Sequence, residues 1–286
     1  MQKDKKVIEI IESSGLTRIN KDLMNNLSYS NRMTAIITEE ENIPLGSSKI
    51  GGKPDLPSYI HWPNENGKIL SFIAQVNLEE VELRLYELPS AGLLSFFYDS
   101  LEQPWGFDPN DRGRWKVIYN ENLDRLERKE LPEELIQEGG FGTCKVDFSL
   151  QTTLPSWESI SIDQLNLVEH ESDLYFELSE KVFEHNDSNG TIHRFLGHPD
   201  QIQGEMQLEC QLASNGLYCG DSTCYEDPKR KLLESGAESW KLLLQIDSEE
   251  DIGMMWGDVG RIFFWIHEDD LREKNFNNVW LVLQCS

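Results

Sequence analysis

Phe72-Ile73-Ala74-Gln75-Val76-Asn77-Leu78-Glu79-Glu80 and Leu242-Leu243-Leu244-Gln245-Ile246-Asp247-Ser248-Glu249-Glu250 follow one pattern. Each reads as a buried strand carrying a single amide, then a helix start where Asn or Asp caps and a Glu three residues on returns the bond. Further on, Gly92-Leu93-Leu94-Ser95-Phe96-Phe97-Tyr98 matches Gly260-Arg261-Ile262-Phe263-Phe264-Trp265-Ile266, with the Gly 17 residues after Gln75 and 15 after Gln245. Trp115-Lys116-Val117-Ile118 and Trp280-Leu281-Val282-Leu283 supply one more strand each, and upstream GKPD (52–55) loosely echoes GHPD (197–200). Four matches in the same order point to an internal repeat, which takes precedence in reading a fold.

Outward from the repeat, the N-terminus reads as two helices. Val7, Ile8, Ile10 and Ile11 share one face, with Gly15 at the left-handed position after the helix. Ile19, Leu23 and Leu27 follow at four-residue spacing, with Thr17 as the expected cap. RMTAIIT (32–38) reads as a strand, before a loop marked by Pro44, Gly46, Gly51, Gly52, Pro54 and Pro57. Between the halves lie LPEELIQEG as a short helix, CKVDFSLQT as a strand and ESDLYFELSEKVFEH as a helix with Leu174, Leu178 and Val182 in one stripe. Residues 186–190 read as a turn, MQLECQL as a strand by alternation of Met206, Leu208, Cys210 and Leu212, and Asp227-Pro228 as a helix start.

The expected class is α+β: an internally duplicated chain of two related, intertwined halves, with mainly antiparallel or mixed sheets and interspersed helices. Residues 1–39 form N-terminal helices and a first strand packed on the body. Residues 40–286 form a single domain of two halves, about 40–140 and 190–286, joined by a strand–helix segment.

Composition narrows the function classes. The 286 residues carry 51 acidic and 26 basic side chains, a formal net charge of −25. That charge disfavours phosphate backbones and anionic lipid, so neither nucleic acid nor membrane is the expected partner. No window approaches the roughly 18 apolar residues of a membrane helix, and MQKDKKVIEIIESSG lacks a signal-peptide core. Five cysteines without an export signal are expected to be reduced thiols in a cytoplasm.

The blocks GGKPDLP (51–57), HWP (61–63), LSFIAQVNLEE (70–80), LPSAGLLSFFYD (88–99), HRFLGHPDQIQGEM (193–206), WKLLLQID (240–247), MMWGDVGRIFFWI (254–266) and WLVLQC (280–285) resemble the YwqG-like family of bacterial proteins, a domain of unknown function. The resemblance spans roughly residues 40–286 and implies an α+β fold of two related, intertwined halves. It implies no activity and carries over no catalytic or ligand residues.

The chemistry-bearing motifs are few. GSSKIGGKP has Gly52 where a phosphate-binding loop needs Lys, no GxSxG elbow occurs, and His267-Glu268 lacks the second His of a zinc-protease helix. His193, His198, Cys219, Cys224 and Asp221 offer zinc-type ligands within 32 residues. Their loose spacing favours reduced structural thiols, and no metal or cofactor is expected. Trp105 with Asp108, and Trp256 with Asp258, set an indole and a carboxylate beside a Gly on each side of the repeat. Such a pair either binds a cation, amine or basic peptide, or fills the seam and caps turns. Gln75 and Gln245 either satisfy neighbouring backbone or line a shared pocket.

The expected function is therefore non-enzymatic binding of a basic protein partner through an acidic, aromatic-containing surface, as an immunity-like inhibitor would bind. The alternative is an enzyme or small-ligand-binding protein with its site at the seam, near Trp105, Trp256, Asp258 and His198. A cavity of several hundred Å³ with converging Asp, His and Gln distinguishes that alternative.

Overall fold

The computed structural model describes residues 4–65, 67–82, 87–186 and 190–286. Residues 187–189 of the expected turn at 186–190 lie outside them. The strands in chain order are β1 (Ser28–Ile37), β2 (Lys49–Gly51), β3 (Asp55–Pro57), β4 (Asn64–Glu65), β5 (Lys68–Ile69), β6 (Ser71–Asn77), β7 (Leu93–Tyr98) and β8 (Trp115–Asn120). They continue with β9 (Leu126–Arg128), β10 (Thr143–Thr153), β11 (His193–Phe195), β12 (Trp240–Asp247), β13 (Arg261–His267) and β14 (Trp280–Gln284). The α-helices are α1 (Lys5–Ser13), α2 (Asn20–Asn26), α3 (Glu133–Ile136), α4 (Ile160–Asp163), α5 (Glu169–Asn186), α6 (Gln207–Ser214), α7 (Thr223–Glu226), α8 (Arg230–Leu233) and α9 (Glu268–Arg272).

Ten strands form one sheet in the order β14-β13-β12-β11-β1-β10-β2-β6-β7-β8, and every pairing within it is antiparallel. The long central pair runs in register from Ser28↔Thr153 to Ile37↔Cys144. Short strands β2 and β11 connect this centre to two three-stranded meanders, β6-β7-β8 on one flank and β12-β13-β14 on the other. Each meander carries a β-bulge at the same place, between Phe72 and Ala74 in one and between Leu242 and Leu244 in the other. A bulge bends its strand and increases the local twist, so both flanks curve at corresponding points.

Curvature brings the flanks together. Phe96 of β7 meets Phe264 of β13 with ring centroids 5.1 Å apart, and Trp115 of β8 meets Trp280 of β14 at 5.0 Å. The Trp115 indole also donates to the Val279 carbonyl at 2.8 Å. Strands β6 and β12 are therefore covered on both faces, which explains their nearly unbroken apolar runs. A second apolar cluster, separate from the sheet's core, packs Val7, Ile11, Leu16, Ile19 and Leu23 against Ile162, Tyr175, Leu178 and Val182. The N-terminal helices thus rest on α5, while β1 lies in the middle of the sheet between β10 and β11.

Local expectations differ from the structure in four places. MQLECQL is helical: α6 buries Cys210, Leu212 and Ala213, and the Glu205 carboxylate receives the Leu208 amide at 2.8 Å at its start. Met206, Cys210 and Ala213 keep a helical spacing that coexists with the apparent alternation, and a short apolar run alone does not separate the two. The strand–helix–strand reading of the repeat becomes strand–turn–strand. Asn77 Oδ1 accepts from the Glu79 amide at 3.0 Å within a turn, and the second copy makes only a 3-10 turn at Glu250–Ile252. The N-cap of α2 is Ile19, without a side-chain bond, instead of Thr17. Asp227 Oδ1 closes a turn on the Lys229 amide at 2.8 Å, and α8 begins only at Arg230.

Gly106 joins the flanks. Its carbonyl accepts from the Trp280 indole at 2.8 Å, its φ is +90°, and a Cβ built there lies 1.8 Å from the Leu281 carbonyl oxygen. Gly106→Ala combines a left-handed backbone with a backbone clash. It is expected to destabilise the protein by at least about 2 kcal/mol, read from the denaturant midpoint.

Candidate functional site

Gln75 and Gln245 act as clasps. Gln75 Oε1 accepts the Asp55 amide at 2.9 Å, while Gln75 Nε2 donates to Asp55 Oδ2 at 2.9 Å and to the Ser47 carbonyl at 2.7 Å. Gln245 repeats every bond: Oε1 accepts the Asp200 amide at 2.8 Å, and Nε2 donates to Asp200 Oδ2 at 3.0 Å and the Ile192 carbonyl at 2.8 Å. A side-chain amide has two donors and an oxygen with two lone pairs, and here three of those four positions tie a Pro-Asp turn to the residues just before the short connecting strand. Each clasp adds a buried cation six residues before its aspartate. Lys49 Nζ lies 3.4 Å from Asp55 Oδ1, and Arg194 grips Asp200 through both Nε and Nη2.

The charges are locked as ion pairs. Burial alone would raise the Asp55 carboxyl, but Arg128, Lys49, the Gly46 amide and Gln75 outweigh it and hold the group below its ordinary range. Asp200 behaves alike: burial opposes ionisation, and Arg194, Arg261 and Gln245 together reverse it. Lys49 has no exposed side-chain surface, and burial pulls its ammonium down despite Asp55 and Glu40.

What lies over each clasp differs. Above Asp55, Arg128 of β9 donates to Asp55 Oδ1 at 2.9 Å, to the Glu40 carbonyl at 2.7 Å and to the Ile43 carbonyl at 3.0 Å. That guanidinium leaves the Asp55 side chain with no exposed surface. No corresponding arginine plugs Asp200. Arg261 bonds the Asp200 carbonyl at 2.6 Å and pairs with Asp247 at 3.1 Å, while Asp200, with 17% of its side chain exposed, lines a cavity of about 580 Å³. Arg194, Arg261, Asp200 and His198 contribute to its lining at the sheet, and α5 with the segment after β10 forms the remaining walls.

Those walls are apolar and acidic. Trp157, Phe176 and Phe183 line the cavity while remaining 60%, 56% and 46% exposed. Three large aromatics on one rim form the kind of patch that marks a binding surface. Glu180 and Glu184 complete the rim, both exposed and neither ion-paired among the described residues.

The other expected site residues lie elsewhere. Trp256 is fully buried against Tyr98 and Phe141, with its indole donating to the Asp247 carbonyl at 3.2 Å. Trp105 is half-buried at the junction of the flanks, where its carbonyl accepts the Leu283 amide at 3.0 Å. Asp108 caps a 3-10 turn through the Asn110 amide at 2.9 Å, and Asp258 is exposed. None of the four lines the cavity above Asp200; His198 does, with Gln245 immediately behind Asp200. The zinc-type residues do not converge: among the described residues no group of three or more His, Cys, Asp or Glu has a metal-binding arrangement. His193 Nδ1 accepts the Asp247 amide at 3.1 Å, and Cys219 and Cys224 are buried free thiols.

A model of the family described as Domain of unknown function (DUF1963) matches residues 48–285. The chain belongs to this family. No curated protein matches the sequence. Within the DUF1963 span fall both clasps and the cavity, while α1, α2 and β1 precede it. No helix among the described residues is long and apolar enough to cross a membrane.

Sequence reading missed Lys49, Arg194, Arg128 and the rim aromatics. Equal six-residue spacing from Lys49 to Asp55 and from Arg194 to Asp200 was the available signal. His198 Nε2–H donates to the Asn26 carbonyl, 2.8 Å away, and burial pushes its pKa down from 6.5 to about 4. An unfolded chain therefore binds this proton first, so stability falls as pH drops from 6.5 towards 4. NMR titration is expected to show an imidazole still mainly neutral well below pH 6.5 and titrating only near pH 4, and His198→Gln is expected to flatten the pH dependence of the denaturant midpoint in that window.

Proposed function

We propose that this protein is a non-enzymatic binding protein whose site is the aromatic, acid-rimmed cavity above Asp200, and that its partner is a basic protein. The carrying observation is the difference between two otherwise matching clasps: Arg128 fills the first, and the second stands open beneath Trp157, Phe176 and Phe183. Carboxylates outnumber cations at the open site, because Arg194 and Arg261 are committed to Asp200 and Asp247 while Glu180 and Glu184 are unpaired among the described residues. A lysine or arginine presented by a partner finds an aromatic face and a free carboxylate together. The acidity of the whole chain steers a basic partner towards this rim. An immunity-like inhibitor, masking a basic effector, fits that plan.

The cavity has the size, and with Asp200, His198 and Gln201 the residue types, set out for an enzyme or small-ligand site, but binding is favoured over catalysis because the groups on its floor are already engaged and its free carboxylates, Glu180 and Glu184, lie on the exposed rim. His198 is held by Asn26, Asp200 by Arg194 and Gln245, and the Ser179 hydroxyl by the Tyr175 carbonyl at 2.9 Å. A nucleophile or general base needs a free, aimed group.

The reading extends to the origin of the site. Matching clasps, bulges and meanders support an internal duplication in which one copy closed over its aspartate and the other kept an open mouth. The finer family name, YwqG-like, belongs with this reading and rests on the sequence blocks in both halves.

A fluorescent peptide alternating Lys and Leu serves as a defined basic probe. It is expected to bind at low salt and to release at high salt. Trp157→Ala and Glu184→Gln, both on exposed positions, are each expected to weaken it by about 1–2 kcal/mol without changing the unfolding midpoint. Equal affinity in both variants would remove the site from this cavity.

A further inference from the structure

A second, larger groove of about 910 Å³ lies where β8 meets the segment after α9, on the junction between the two flanks. Its charge is the reverse of the molecule's. Arg112, Lys116 and Lys274 line it, and none is ion-paired among the described residues, although acidic side chains outnumber basic ones 51 to 26. Glu65 is the lining carboxylate, on the side of Gly113. Tyr59 and Tyr119 add aromatic surface, with Tyr59 69% exposed and the half-buried Tyr119 ring backed by the buried Phe276 ring 5.5 Å away.

Two of these cations are held in place. The Arg112 guanidinium sits 5.0 Å from the Trp280 ring centroid and donates to the Ser214 carbonyl at 3.0 Å, leaving further donors of its fork free. Lys116 Nζ donates to Asn277 Oδ1 at 2.5 Å and retains two more N–H positions.

Lys274 is the telling residue. The end of α9 is a Schellman turn: the Lys274 amide donates to the Leu271 carbonyl at 3.1 Å and the Asn275 amide to the Asp270 carbonyl at 2.8 Å. That geometry puts residue 274 at φ +56°, a position where glycine is favoured and a side chain costs stability. A lysine at that position stands at the lip of a groove already holding two unpaired cations, where its ammonium adds to their charge although its side chain gains the turn nothing.

We propose that this groove binds a small anionic ligand carrying a flat ring, such as an aromatic phosphate ester, with Arg112, Lys116 and Lys274 receiving the anion and Tyr59 and Tyr119 receiving the ring. A cleft lined by one sign of charge concentrates its counter-ion, and an acidic protein gains a local anion site only by gathering unpaired cations in this way. This site is independent of the cavity above Asp200.

The test uses phenyl phosphate, inorganic phosphate and phenol with the full-length protein at low ionic strength, followed by saturation-transfer NMR and calorimetry. Phenyl phosphate is expected to bind more tightly than either fragment and to weaken with salt. Lys274→Gly is the decisive variant: it is expected to match or exceed the parent's Tm while weakening phenyl phosphate about tenfold. Lys116→Gln is expected to weaken it comparably. Undetectable binding of phenyl phosphate at millimolar concentration, phenol binding as tightly as the ester, or unchanged affinity in the Lys274→Gly variant would each overturn the proposal.

Discussion

The aspartate–glutamine clasp is the constraint on which the rest of the structure depends. A buried carboxylate survives in a sheet core only when its charge is balanced and its lone pairs are filled. Here one glutamine supplies a donor to the carboxylate, an acceptor to the same residue's amide, and a second donor to a carbonyl just before the short connecting strand. Lys49 and Arg194 balance the charge. The short strands β2 and β11 have few ladder bonds of their own, so the clasps fix how each three-stranded flank joins the central pair. From that join follow the bulges, the curvature and the meeting of Trp115 with Trp280.

The two matching clasps, finished differently, also bear on where a site can exist. The first aspartate is closed over by a strand-borne arginine that reaches the Glu40 and Ile43 carbonyls as well. At the second, Phe176 and Phe183 of α5 line a cavity together with Asp200. A floor whose polar groups are already satisfied, beneath a rim of aromatic and acidic side chains, is suited to recognition because it need not rearrange.

Much of the fold was legible because its signals are local and repeated. The apolar runs around Gln75 and Gln245, the Gly-started second strands and the Trp-started third strands correspond to observed strands in the observed order. The helix at 207–214 was not legible, since Met206, Cys210 and Ala213 satisfy a helical period while Leu208 and Leu212 mimic alternation. The glutamates after each strand were misread for a different reason. Glu80 receives the Ser48 amide at 2.8 Å and Glu249 receives the Thr191 hydroxyl at 2.8 Å, long-range partners that no local pattern reveals. The site was only partly legible: His198 and Gln245 come to it, but Trp157, Phe176 and Phe183 are ordinary apolar residues in sequence and acquire meaning only when the fold leaves them exposed together.

The most direct test of the clasp is the unfolding free energy of Gln75→Leu, Gln245→Leu and the double variant, measured by denaturant titration alongside peptide binding. Each single substitution keeps the side-chain volume but strands a buried carboxylate and amide, and is expected to cost about 2–4 kcal/mol. The two costs are expected to add, and only Gln245→Leu is expected to weaken the peptide as well. A cost below about 0.5 kcal/mol for either single variant would contradict the account, because a residue that holds a flank to the sheet cannot be removed at surface-substitution cost.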